Sequence, residues 1–85
     1  MRDGSKRFVY ILQSINVPAR HYTGLTDNIP RRLEEHNNGR SIHTANDRPW
    51  RLHVAMEFAN EHVAVRFEKF LKSGSGRAFA KRHFE

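Results

Sequence analysis

The sequence predicts a small α+β domain, a three-stranded antiparallel sheet flanked by helices in the order β-β-α-β-α-α. Three observations predict it. Two short runs rich in aromatic and β-branched residues, 8–12 and 21–23, flank a turn that carries Asn16 and Pro18, which is the pattern of a hairpin. A later run alternates, with Leu52, Val54, Met56 and Phe58 set between Arg51, His53, Ala55 and Glu57. The segments between and after these runs place apolar residues at helical spacing. With 85 residues there is room for one domain, residues 1–85, and not for a second.

Taken in order, residues 1–6 read as a polar, flexible N-terminal arm. Phe8-Val9-Tyr10-Ile11-Leu12 is apolar on both faces, so this strand is expected at the centre of its sheet. His21-Tyr22-Thr23 returns beside it. Gly24 is expected to end that strand, where the backbone bends or is approached closely. The first helix is expected to begin at Asn28 as N-cap, with Pro30 in its first turn, and to stop before Gly39. At about 100° per residue, Ile29, Leu33 and His36 share an inward stripe, Arg32 sits at its edge, and Arg31 points to solvent. Residues 40–49 have no periodicity and read as a loop, long for so small a domain. Asn60 is expected to cap a second helix whose core stripe is Val63, Phe67, Phe70 and Leu71, with Glu68 at the border. Ser73-Gly74-Ser75-Gly76 is expected to break this helix and open a short third one, 77–84, with Arg77, Lys81 and Arg82 exposed.

Composition narrows the function. The absence of cysteine excludes disulfides and thiolate metal sites. The longest apolar run, residues 8–12, is far too short to cross a bilayer, and the basic N-terminus lacks the apolar stretch of a signal peptide. A cytoplasmic location with no membrane contact is therefore expected. Net charge is +6, from 15 Lys and Arg against 9 Asp and Glu, and eleven of the cations are arginine. Arginine's planar fork matches phosphate oxygens, so the balance points to a polyanion partner, most simply nucleic acid. A merely basic protein would carry the same charge. Arg31, Arg40, Arg48, Arg51, Lys72, Arg77, Lys81 and Arg82 are the candidates for backbone contacts with DNA.

Several side chains carry chemistry. Tyr10 and Tyr22 are the only tyrosines. Either hydroxyl would orient or deprotonate a water given a nearby cation, since a free phenol titrates near about 10. Two ordinary strand aromatics fit the same pattern. Arg32 offers a bidentate phosphate clamp, and His36, one turn on, a proton handler. A pairing of Arg32 with Glu35 fits the spacing equally. Glu68 suits a cation such as Mg²⁺, which keeps its waters and uses one carboxylate plus substrate phosphate, although an i,i+4 pair with Lys72 is the commoner meaning of that spacing. His43 and His53 form no zinc pattern and read as surface or loop residues. Trp50 has the chemistry to stack an unpaired base, but a core role beside Pro49 suits it as well. The backbone N–H groups of Gly74 and Gly76 suit either a phosphate or an ordinary helix–helix turn.

Together these residues resemble the GIY-YIG nuclease superfamily, and within it the small single-domain proteins similar to the nuclease domain of structure-specific endonucleases. The first signature is Val9-Tyr10 and the second Tyr22-Thr23-Gly24, with eleven residues between the tyrosines. Ten residues beyond the second tyrosine the family's arginine falls on Arg32, which the helical stripe selects independently. Its histidine falls on His36. Its metal-binding glutamate, in Ala64-Val65-Arg66-Phe67-Glu68, falls on Glu68. The likeness runs from about residue 6 to 82. The chain departs from the pattern at Phe8, where the first signature has glycine, and at Thr23, where the second has isoleucine. Leu25 stands where some members carry a lysine. The resemblance implies a metal-dependent endonuclease, with Tyr10, Tyr22, Arg32, His36 and Glu68 catalytic, Mg²⁺ or Mn²⁺ on Glu68, and structured or branched DNA cut in repair or recombination. No appended DNA-binding domain is present in the sequence, so targeting is expected to use a partner protein or a homodimer. The alternative is a nucleic-acid-binding module without turnover. A small protein-interaction domain is a weaker third reading.

Overall fold

The computed structural model describes residues 7–85, and the expected N-terminal arm lies outside the described residues. Strand β1 (Arg7–Ser14) is central, with β2 (His21–Thr26) on one side and β3 (Trp50–Phe58) on the other, both antiparallel to it. Helix α1 (Ile29–Asn37) follows β2. Helices α2 (Glu61–Leu71) and α3 (Gly74–Phe84) follow β3. The order is the expected one. β1 is central because Val9, Tyr10, Ile11 and Leu12 are all buried, which needs cover on both faces.

Strand alternation divides that cover. Val9 and Ile11 meet Ala64 and Leu71 of α2, with Phe67, Phe79 and Phe84 packed around them. Tyr10 and Leu12 face the other way and pack with Trp50, Tyr22 and the α1 residues Ile29 and Leu33. The sheet thus has an all-apolar face under α2 and α3, and an aromatic face under α1.

The second strand runs on past Gly24 to Thr26. Gly24 is opposite Tyr10 in the ladder, and a Cβ there would stand 2.3 Å from the Tyr10 hydroxyl. The glycine therefore answers a close approach and no bend occurs. The alternation expected in β3 also breaks. Ile11 pairs with Val54 but Leu12 pairs with Leu52, so His53 is left over in a bulge. Val54, Met56 and Phe58 stay on the apolar face, whereas Leu52 crosses to the aromatic face and is 41% exposed.

Helix α1 is built as expected. The Asn28 side chain accepts from Arg31 N–H, and Thr26 Oγ1 accepts from Asn28 N–H, so strand and helix are joined by a hydroxyl-capped turn. Gly39 takes φ +79, the left-handed conformation that ends helices. In α2, Asn60 is the expected cap, accepting from His62 and Val63 N–H. The expected stripe is rotated, however. Its centre line is Ala64, Phe67, Glu68 and Leu71, while Val63 and Phe70 lie on the flanks, each 38% exposed. Ala64, the smallest member, lets the helix lie close on β1 and so sets the rotation. The next helix starts at Gly74, three residues earlier than expected, with Ser73 Oγ capping Gly76 N–H. Gly76 is where α3 crosses α2, since a Cβ there would fall 1.7 Å from the Phe70 carbonyl oxygen. The chain thus breaks between α2 and α3 as expected, and Gly76 serves in addition as the contact between the two helices. Among the described residues no helix is long and apolar enough to cross a membrane.

Candidate active site

Tyr10 rises from the central strand into the aromatic face, and α1 carries His36 over it. The Tyr10 hydroxyl lies 2.9 Å from His36 Nε2, and His36 Nδ1 lies 2.7 Å from Thr44 Oγ1. Thr44 in turn donates to the Ser41 carbonyl at 3.4 Å. All three linked side chains are buried, and His36 is 0% exposed. Arg32 lies one turn before His36, and its charge beside the Tyr10 hydroxyl favours the ionised phenol. The Thr44 hydroxyl donates to the Ser41 carbonyl, so its oxygen accepts from Nδ1–H, and Nε2 is left to accept from the Tyr10 O–H.

The electrostatics agree with that arrangement. Burial holds the His36 imidazole below its usual titration range; the Arg32 charge adds to this and Glu35 opposes it, so the ring is held neutral. Burial likewise pushes the Tyr10 phenol up. Arg32 offsets part of the rise, and Tyr22 and Glu68 add to it. Tyr10 is therefore a protonated hydroxyl held on a neutral imidazole.

Thr44 was not legible in the sequence. It sits in the aperiodic 40–49 segment, eight residues after His36, and only the length of that loop hinted at a role. The segment is fixed: a single 3₁₀ turn covers Ala45–Asp47, and Asp47 accepts from Ser14 Oγ through its carbonyl, at 2.7 Å, and from Arg20 through its carboxylate. The Asn37 amide grips the Trp50 backbone at both N–H and C=O. Trp50 Nε1 then donates to the Thr44 carbonyl at 2.8 Å. Trp50 is 4% exposed, so its ring is a core element and is not open to stack a base.

Tyr22 completes the aromatic group from the edge strand. Its ring centroid is 5.0 Å from that of His36 and 6.5 Å from that of Tyr10. Lys72, at the end of α2, sets its ammonium 5.6 Å from the Tyr22 ring centroid, and 2.7 Å from Glu68 Oε2. The Glu68 side chain is 16% exposed. Its ion pair with Lys72 thus forms beside Tyr22, on the side where the other groups gather. Tyr10, Tyr22, Arg32, His36 and Glu68 converge, the first four from β1, β2 and α1, the last from α2.

The Glu35 pairing expected for Arg32 is present. The Arg32 guanidinium pairs with Glu35 at 2.9 Å while facing Tyr10, and the pairing holds the Glu35 carboxyl below its usual range. Arg31 is the outward arginine, paired with Asp27 at 2.8 Å. The other candidate DNA contacts do not form one surface. Lys72, Arg77 and Lys81 line a depression of about 560 Å³ beside Tyr22. Arg48 donates to the Ala45 carbonyl and covers Gly39, while Arg51 donates twice to Gln13 Oε1. Arg40 is exposed near Glu35, and Arg82 borders a smaller groove on α3. His43 is exposed in its loop as expected, but His53 is a strand residue, tilted against His21 at 5.3 Å between ring centroids, with its Nε2 at 2.5 Å from the Phe84 carbonyl.

The GIY-YIG catalytic domain family matches residues 6–82. The chain belongs to the GIY-YIG family. Membership carries nuclease activity in general, on DNA, in a family that generally depends on a divalent metal. A similar solved structure is the solution structure of a UPF0213 protein from Bacillus halodurans, 29% identical, aligned over 91% of this chain and 81% of that one with a TM-score of 0.55. No curated protein matches the chain. The GIY-YIG signatures gain a physical meaning here, for the tyrosine of the first lies across the glycine of the second, Tyr10 over Gly24. Among the described residues no three His, Asp or Glu side chains group to hold a metal. The donor set fits a cation that keeps most of its water and takes one carboxylate, and it does not fit an all-protein cage.

Proposed function

We propose that this chain is a divalent-metal-dependent endonuclease acting on branched, flapped or single-strand-containing DNA in repair or recombination. The observation that carries the reading is the hydrogen-bonded line from Tyr10 through neutral His36 to Thr44, set between Arg32 and Glu68. Glu68 would hold Mg²⁺ or Mn²⁺, which when bound supplies Lewis-acid stabilisation of a phosphate oxygen and of the leaving oxygen. Arg32 neutralises charge that grows on the phosphorus-bound oxygens. The tyrosines divide the labour. Tyr22, half-buried and bordering the open depression, faces the attacking water. Tyr10 is buried and protonated. As the water attacks phosphorus, its proton passes to the Tyr10 oxygen while the Tyr10 O–H proton moves to His36 Nε2, so no phenolate is left, and the bond from phosphorus to the leaving oxygen breaks as the new one forms. Lys72 holds the Glu68 carboxylate in place, at the position a bound cation would take.

The Glu68–Lys72 pair is also the one observation that favours a binding module without turnover, because a carboxylate engaged in an ion pair needs no metal. The two readings part in a single assay. A panel of flapped, forked, single-stranded and linear DNAs is incubated in Mg²⁺ and in Mn²⁺ with the wild type, Arg32→Ala and Glu68→Ala. The nuclease reading expects cleavage of the wild type's preferred structure, lost in both variants with DNA binding retained. Binding without cleavage on every substrate and metal would leave the module.

A further inference from the structure

The depression beside Tyr22 has features that the Tyr10–His36 line does not use. Its volume, about 560 Å³, is within the range of about 300–1,000 Å³ typical of small-ligand clefts. Its floor is apolar, from Ile11, Leu71 and Ala80, and its wall carries Lys72, Arg77 and Lys81, with the Glu85 carboxylate at the His21 end. Arg77 and Lys81 are one turn apart on the same face of α3, and neither is ion-paired among the described residues. Like charges at i,i+4 repel and weaken a helix. Two unpaired cations held over an apolar floor suit an anion carrying an apolar body. A second observation lies in the same wall. His21 has its Nε2 buried with no hydrogen-bond partner, although the other ring nitrogen lies 3.7 Å from Glu85. A buried polar atom left unsatisfied is costly, so this one marks a place for a ligand group.

We propose that the depression seats an unpaired nucleotide of the substrate strand next to the scissile phosphate. Its phosphates lie against Arg77 and Lys81 and its base lies on the Ile11–Leu71–Ala80 floor, with the His21 ring turning to bring its buried Nε2 to a polar atom of the nucleotide. The proposal rests on the nuclease reading for the identity of the strand. Lys72 and Tyr22 belong to both the depression and the cluster around Tyr10, so a strand lying in one is led into the other. A base inside a duplex presents only its edge and cannot reach such a floor, whereas an unstacked base presents a face. The depression would thus select single-stranded character beside the cut.

The test is a binding measurement that needs no cleavage. Hexathymidylate without metal is titrated into the wild-type chain by NMR, and a blunt twelve-base-pair hairpin serves as the duplex control. Shifts should centre on the amides of Thr23, Leu71 and Ala80. Arg77→Ala/Lys81→Ala should weaken hexathymidylate on the order of tenfold and flatten the salt dependence by about one to two phosphates' worth, and should weaken the hairpin much less. Ala19→Trp, on the exposed rim, keeps every charge and fills the space, and should also weaken hexathymidylate. Shifts centred elsewhere, unchanged affinity in Ala19→Trp, or equal losses for hexathymidylate and hairpin would each overturn the proposal. A wild type that binds here but cuts nothing would overturn the nuclease reading and leave this site standing.

Discussion

The two faces of strand β1 are built from neighbouring residues and do opposite work. Val9 and Ile11 enter a face closed by Ala64, Leu71 and phenylalanines, with the polar residues His21 and His53 only at its margin. Tyr10 and Leu12 enter a face in which a buried hydroxyl, an imidazole and a threonine must satisfy one another. The first face gains stability from every buried carbon. The second is stable only while its hydrogen bonds are complete, because each unpaired group in a dry interior is a penalty. The difference teaches that in a domain of this size the chemistry occupies one of the two cores, and the other core must hold the fold.

Substitutions on each face break that division in different observables. The largest effect is expected at Arg32. Arg32→Ala should cut the cleavage rate about 10²- to 10³-fold, as for loss of one preorganised charge stabiliser, with little change in thermal unfolding. Equal losses of rate and of melting temperature would mean that the aromatic face is structural. On the opposite face, Val9→Ala should destabilise by about 2 kcal/mol in urea unfolding, and any fall in rate should track the unfolded fraction. Thr44→Val keeps the shape and removes the hydroxyl, leaving Nδ1 of His36 unpaired. It should cost about 1–3 kcal/mol, with Thr44→Ser recovering most of it.

The pH dependence follows from His36. Its folded-state affinity for protons lies below the ordinary value of 6.5, so the unfolded chain binds the proton first as pH falls. The contribution of a neutral His36 is complete above about 6.5 and is lost progressively below it, toward the lower folded-state value. Urea midpoints should therefore fall between pH 7 and 5, and more steeply in the wild type than in His36→Gln. Parallel curves would show that the imidazole is not held neutral. The smallest expected effect is at Lys72, whose exposed ion pair contributes little stability. Lys72→Gln should leave the melting temperature nearly unchanged and tighten Mn²⁺ binding severalfold by calorimetry, because the ammonium no longer competes for Glu68.

How far the sequence reached depended on whether a signal was local. The helix caps, Gly39, the central strand and the inward stripe of α1 all rest on spacings of a few residues, and all were legible. Leu52 was misplaced because a bulge is a property of two strands, and the register shift beside Leu12 has no mark in β3 alone. Val63 and Phe70 were assigned to the core by their apolarity, yet the small Ala64 set the rotation of α2. In the site, Arg32 and His36 stood out as one helix face. Their joining to Tyr10, the gathering of Glu68 from a distant helix, and the whole contribution of Thr44 are tertiary facts. The Ser-Gly pairs marked the break between the helices, but α3 starts three residues earlier than their pattern suggests, and the close contact of Gly76 with a carbonyl of another helix is again tertiary.

That contact at Gly76 has a mechanical consequence. Backbone meets backbone there with no side chain between, so α3 has a fixed fulcrum near its first turn. At about 1.5 Å per residue, Arg77 stands almost on the fulcrum, Lys81 about 7 Å along the arm and Phe84 about 12 Å along it. A given tilt of the helix therefore carries Lys81 several times farther than Arg77. The width of the depression is set at its Lys81 end by an angle, and that angle is held by one missing methyl group.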